Sequence, residues 1–117
     1  EPRNRFYRTD LGRIYTRAGL ARRLTNDLAG SNADFVRSLE LWKQVAETDP
    51  GNKNARRDIA LAHRYLAENF TKLGENAKAR EHYRTAVDML NGLKSENSLP
   101  EVDLKLITEL ESAMAKL

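Results

Sequence analysis

The chain has 117 residues and not one cysteine. That excludes disulfide frameworks, thiolate zinc sites, iron–sulfur clusters and thiol nucleophiles. It is compatible with a cytoplasmic setting, where structural disulfides are rare. Proline (3) and glycine (6) are scarce, and they fall mostly between long periodic stretches, where connectors belong. Charge of one sign is also lacking: 20 Lys and Arg stand against 17 Asp and Glu, a formal net charge of +3. No uncharged apolar run approaches the roughly 20 residues of a membrane span. No signal peptide is visible, and the first residue is Glu1 rather than Met, so a piece of something longer is expected.

What is present is a 40% apolar, 32% charged composition, which suits a soluble amphipathic helical protein. Apolar residues recur at three and four throughout, with no sustained alternation of period two. The spacing predicts five helices. The first covers about 5–25, with Phe6, Leu11, Ile14, Tyr15, Ala18, Ala21 and Leu24 as its stripe. A polar break from Asn26 through Asn32 follows, in which Ser31 or Asn32 can cap the next helix. The second covers about 34–48, with Phe35, Leu39, Trp42 and Val45 inward, and ends at Asp49-Pro50-Gly51-Asn52. The third, about 53–73, has Ile59, Ala62, Leu66, Phe70 and Leu73 as its face and stops at Gly74. The fourth covers about 76–93 on Ala79, Tyr83, Ala86, Val87 and Leu90. Ser98-Leu99-Pro100-Glu101 reads as a capping box opening a fifth helix over about 99–116, with the stripe Val102, Leu106, Leu110, Ala113 and Leu117.

The chain repeats itself. Glu1-Pro2-Arg3-Asn4 returns as Asp49-Pro50-Gly51-Asn52 at a shift of 48 residues, and Arg8, Asp10, Leu11 and Gly19 meet Arg56, Asp58, Ile59 and Ala67. Farther on the shift becomes 41, setting Phe35, Trp42 and Val45 against Asn76, Tyr83 and Ala86. The extra residues lie around the Gly30-Ser31-Asn32 break.

In the second unit, Leu66, Ala67, Phe70, Gly74, Ala79, Tyr83 and Ala86 stand at the spacings of the tetratricopeptide repeat, with His63 at its Trp position and Asn91 at its closing Pro. Ser38, Trp42, Val45 and Pro50 match in the first unit, as do Tyr15, Ala18 and Gly19, whereas Arg22 occupies the Tyr position. The chain therefore resembles tetratricopeptide helical arrays. The long units and the Arg56-Arg57-Asp58-Ile59-Ala60 opening are also similar to arrays attached to bacterial signalling proteins, some bearing serine/threonine kinase domains; no kinase motif occurs here. The resemblance implies an all-α fold: a right-handed superhelical stack of two hairpins (5–52 and 53–97) and a capping helix (98–117), one domain in all.

No enzyme constellation is found: no glycine-rich phosphate loop, no H-E-x-x-H and no G-x-S-x-G. No cofactor, metal or catalytic residue is assigned. His63 and His82 lie on neighbouring helices, where Glu81 or Glu68 could complete a metal site; the plainer expectation is that His63 packs at the unit interface and His82 is half exposed. The expected function is a non-enzymatic interaction module for a protein or peptide segment. On the concave face that the resemblance implies, the partner-binding residues are Arg13 and Thr16 (with Leu20 beside them) in the first unit. In the second they are Arg57, Leu61, Arg64, Glu68, Thr71 and Lys72. Seven arginines within residues 1–23 give that stretch a net charge of +5 and the remainder −2, which favours an acidic or phosphorylated partner. Self-association through the open faces of the first and fifth helices (Val102, Leu106, Leu110 and Met114 on the latter) is the alternative. Nucleic acid is disfavoured, because few aromatics interleave with the arginines.

Overall fold

A computed structural model describes the backbone from Pro2 to Leu117 and side chains from Phe6 onward. Five helices run in order: α1 (Pro2–Leu24), α2 (Leu28–Thr48), α3 (Lys53–Lys72), α4 (Asn76–Ser95) and α5 (Glu101–Ala115). No strand occurs among the described residues, and no helix there is long and apolar enough to cross a membrane. Each helix packs on the next in the chain.

Three of the four connections use the same terminator. Asn26, Gly74 and Asn97 each take positive φ (63°, 74° and 55°). After each, a backbone N–H reaches back five residues: Asp27 to Arg22, Glu75 to Phe70, and Ser98 to Leu93. The positive-φ residue's own N–H reaches back three, to Arg23, Thr71 and Lys94 respectively. This is the Schellman arrangement, which satisfies the last carbonyls of a helix and turns the chain sharply. The connection after α2 is instead the Asp49-Pro50-Gly51-Asn52 turn, whose Asn52 side chain accepts from Ala55 N–H and caps α3.

Three helix starts differ from the sequence reading. Helix α2 begins at Leu28, so Gly30, Ser31 and Asn32 are helical, and the cap is Asp27, whose carboxylate accepts from Gly30 N–H. These polar residues are held in the helix by tertiary partners: Ser31 donates to the Gly19 carbonyl, and Asn32 accepts from Asn69. Helix α5 begins at Glu101 after Pro100, with no side-chain cap; the Ser98 hydroxyl donates to the Glu96 carbonyl, so the expected capping box does not form. The expected likeness of residues 1–4 to the 49–52 turn also ends in different structures, since α1 already runs from Pro2; Glu1 lies outside the described residues.

The α1–α2 contact is a glycine–serine seam. Gly12 and Gly19, two turns apart, face Ser38 and Ser31, whose hydroxyls donate to the Gly12 and Gly19 carbonyls at 3.1 and 2.7 Å. A Cβ on Gly12 would lie 2.7 Å from the Trp42 indole, and one on Gly19 would lie 2.6 Å from the Phe35 ring. The two aromatic rings thus lie directly on α1 backbone. One core cluster follows, with Phe35, Leu39, Trp42 and Val45 of α2 against Ala55, Ile59, Ala62 and Leu66 of α3. A second joins Ala60 and Ala67 of α3, Tyr83, Val87 and Leu90 of α4, and Leu106, Ile107 and Leu110 of α5.

The expected stripe of α1 is therefore not its buried face. Ile14 is 55% exposed and Leu24 88%, because the side toward α2 is carried by glycine and threonine. In α5 the reverse holds: Leu106 and Leu110, expected on an open face, are 7% and 3% exposed against α4, while Val102 is turned out.

A buried polar brace ties α1 and α2 to α3. Arg23 donates to Asn69 Oδ1, Glu68 Oε1 and the Tyr65 carbonyl, at 2.9, 3.0 and 2.9 Å. Its guanidinium also lies 5.5 Å from the ring centroids of both Phe35 and Tyr65. Asn69, fully buried, donates onward to Ser31 and Asn32.

Candidate functional site

One cleft opens between α1 and α3 and another between α3 and α5, and the residues expected to bind a partner lie on α1 and α3. Arg13 is exposed beside the first cleft, of about 310 Å³, and lies 3.8 Å from Asp10. Thr16 is turned inward, meeting the Gly12 carbonyl at 2.9 Å and the Ser38 hydroxyl at 2.7 Å. Arg57 is held by both carboxylate oxygens of Asp103, fastening α5 to α3. Asp103 is 4% exposed, so this pair is a structural clasp, while the Arg57 side chain keeps 35% of its surface exposed. Leu61 packs against the second core cluster. Glu68 lies between Arg23 and Arg64, at 3.0 and 3.4 Å, so these charges largely satisfy one another. Lys72 is exposed and forms no ion pair among the described residues.

Thr71 alone of the eight lines the main groove. This groove, about 770 Å³, lies between the end of α3 and the length of α5. Its floor is Tyr83 of α4, with Ala113 and Leu117 adding apolar surface and Lys105, Glu109 and Lys116 along the rim. Burial pushes the Tyr83 hydroxyl above its ordinary pKa, while a hydrogen bond with Thr71 pulls the other way, so the floor stays a neutral donor and acceptor at physiological pH. Neither Lys105 nor Lys116 has an ion-pair partner among the described residues. The α5 residues were missed by the sequence reading, yet the signal existed: carrying the 48-residue shift once more takes Arg57, Leu61, Arg64 and Glu68 to Lys105, Glu109, Ser112 and Lys116. Each of these α5 counterparts lines the groove.

His63 and His82 do meet. Their Nδ1 atoms are 3.0 Å apart, with ring centroids at 5.2 Å, and the two rings share one N–H···N hydrogen bond. Phe70 stacks on His82 at 5.5 Å. Burial, then the neighbouring His82 and Lys43, lower the His63 pKa from 6.5 to about 4; burial also lowers that of His82, against the pull of Glu81. Glu68 is committed to the arginines, and among the described residues no group of three metal-ligating side chains assembles.

The class that fold and site define is an all-helical protein with a partly apolar, cation-rimmed surface groove. No family model, curated protein or solved structure matches the chain.

Proposed function

We propose that this chain is a non-enzymatic interaction module, a tetratricopeptide-like helical stack within a larger protein, that holds a peptide or protein segment in the α3–α5 groove. The supporting observation is the groove itself. It offers apolar floor area at Tyr83, Ala113 and Leu117 to side chains of a ligand, and unpaired lysines at its rim to carboxylates. Charged rims of this kind give orientation and faster encounter, while the apolar floor supplies most of the affinity. An acidic segment is the favoured ligand, because Lys105 and Lys116 outnumber Glu109 around the opening. The arginine-rich start is a poorer case for nucleic acid. Arg22 pairs with Asp27 and Asp34, and Arg23 is consumed by the brace to α3, leaving a broken line of cations.

Panning a random peptide library on the chain, followed by fluorescence anisotropy with the selected peptides, tests the reading. Lys105→Glu with Lys116→Glu is expected to weaken binding at least about tenfold, the loss of charge-assisted contacts worth about 1.4 kcal/mol or more. The melting temperature is expected to stay unchanged, since both lysines are exposed. Selected peptides indifferent to both substitutions would place binding elsewhere.

A further inference from the structure

The outward face of α1 carries an apolar stripe that is largely exposed. Tyr7, Leu11, Ile14 and Ala18 follow one another at spacings of four, three and four, three turns of one helical face. Tyr7 is 65% exposed and Ile14 55%. Beside them a cleft of about 340 Å³ opens between α1 and α2, lined by Leu11, Tyr15 and Leu41 with Arg37, Glu40 and Gln44.

The chain itself shows what such a face takes. Shifted by 48 residues, Tyr7, Leu11, Ile14 and Ala18 become Ala55, Ile59, Ala62 and Leu66. Those four residues of α3 are 1–6% exposed, covered by Phe35, Leu39, Trp42 and Val45 of α2. The α1 face is thus the repeat counterpart of a surface that, one unit later, is buried under an amphipathic helix presenting bulky apolar residues at three- and four-residue spacing.

Charge selects among the occupants. Arg8, Arg17 and Arg37 surround the stripe and form no ion pair among the described residues; Arg37 donates to the Tyr15 hydroxyl, at 3.1 Å, and feels Asp34 and Glu40 of its own helix only at longer range. A second copy docking face to face across a two-fold axis would set these arginines against themselves. An occupant with Asp or Glu flanking its apolar stripe would neutralise them.

We propose that the outward face of α1, with its cleft against α2, docks one amphipathic helix of a partner protein, whose apolar stripe resembles that of α2 and whose flanks are acidic. This surface is separate from the α3–α5 groove and does not depend on it. A helix of about 12–15 residues, about 20 Å long, covers it.

The probe is a helix-stapled peptide with the sequence of residues 28–48 carrying Arg37→Glu and Lys43→Glu, followed by fluorescence anisotropy, with light scattering of the protein alone. Micromolar binding is expected, weakening at least about tenfold when salt rises from about 50 to about 500 mM, because the flanking pairs are exposed. Ile14→Glu in the protein is expected to abolish binding with an unchanged circular-dichroism melt, Ile14 being exposed. Lys105→Glu with Lys116→Glu is expected to leave it intact, separating this face from the groove. Three outcomes overturn the proposal: no binding at about 0.5 mM peptide, roughly a hundred times the expected dissociation constant; binding unaffected by Ile14→Glu; or a concentration-dependent dimer that Ile14→Glu returns to monomer, which assigns the face to a second copy.

Discussion

Replacing Gly12 by alanine sets two physical effects against each other. Alanine is the better helix former by about 1 kcal/mol, so propensity alone predicts a more stable protein. The structure predicts the opposite. The new methyl would lie 2.7 Å from Cε2 and 2.9 Å from Cζ2 of Trp42, well inside van der Waals contact. The indole is 3% exposed and wedged in the first core cluster, so it has nowhere to go without moving α2 from α1. Overpacking of this kind costs about 1–3 kcal/mol, and separating the helices would also lengthen the Ser38 bond to the Gly12 carbonyl. The net expectation is a loss of up to about 2 kcal/mol once the helix gain is subtracted. Gly92 supplies the control, being helical with nothing within 4 Å of the place a methyl would take. Gly92→Ala is expected to gain up to about 1 kcal/mol. Urea titrations followed by circular dichroism at 222 nm would show the two variants moving in opposite directions. A third variant sharpens the argument. In the second hairpin the counterparts of Gly12 and Trp42 are Ala60 and Tyr83, which share a core cluster. Gly12→Ala combined with Trp42→Tyr is therefore expected to cost less than the sum of the single changes, with a coupling of about 1 kcal/mol. If Gly12→Ala stabilises the chain as much as Gly92→Ala does, the seam does not exist as described.

Three further expectations follow from the same contacts. Arg23→Lys keeps the charge but loses the fork that reaches Asn69, Glu68 and the Tyr65 carbonyl together, and is expected to cost about 1–3 kcal/mol in urea unfolding; a neutral result would mean that the brace is dispensable. Asp103→Ala removes the clasp of Arg57 on α5, so amide exchange in α5 should accelerate more than in α3, and equal acceleration in both would contradict a local clasp. The burial of His63, with His82 beside it, makes stability depend on pH. The folded pKa of His63, about 4, lies below its unfolded value of 6.5, so the folded state resists a proton that the unfolded state accepts. Stability is then highest above about pH 6.5 and falls as pH drops toward 4, by about 2–3 kcal/mol in total for this group. Comparing urea midpoints at pH 7 and pH 4.5 in the native chain and in His63→Asn isolates this contribution from the carboxylates; identical pH slopes would refute it.

Helix number and approximate span were legible in the sequence, because they rest on local signals. Gly74 has φ of 74° where the chain must turn, and Asn52 caps α3 as its position suggests. The error at the start of α2 has a definite cause. Gly30, Ser31 and Asn32 are poor helix formers taken one at a time, but Ser31 and Asn32 are held in helical places by partners 12 and 37 residues away in the chain. The candidate site was legible in part. Of the eight residues expected to bind, Thr71 lines the α3–α5 groove and Arg13 the α1–α3 cleft, whereas Lys105, Glu109 and Lys116 of α5 were not expected, since a charged residue on an amphipathic helix looks the same whether or not a groove lies beside it.

The residues alone determined that five amphipathic helices form and where most of them stop. Those features depend on periodicity and on turn chemistry within a few residues. Only the tertiary structure decided which cations are tied up and which are free. Arg23 and Arg57 look like Arg17 and Lys105 in sequence, yet the first two are bound to Glu68 and Asp103 on other helices. It also decided which apolar stripe is covered: α5 turns Leu106 and Leu110 onto α4, while α1 meets α2 through glycine and leaves Ile14 outside. A helix can bury more than one of its faces, and the choice is made by the helices beside it, which lie tens of residues away in the chain.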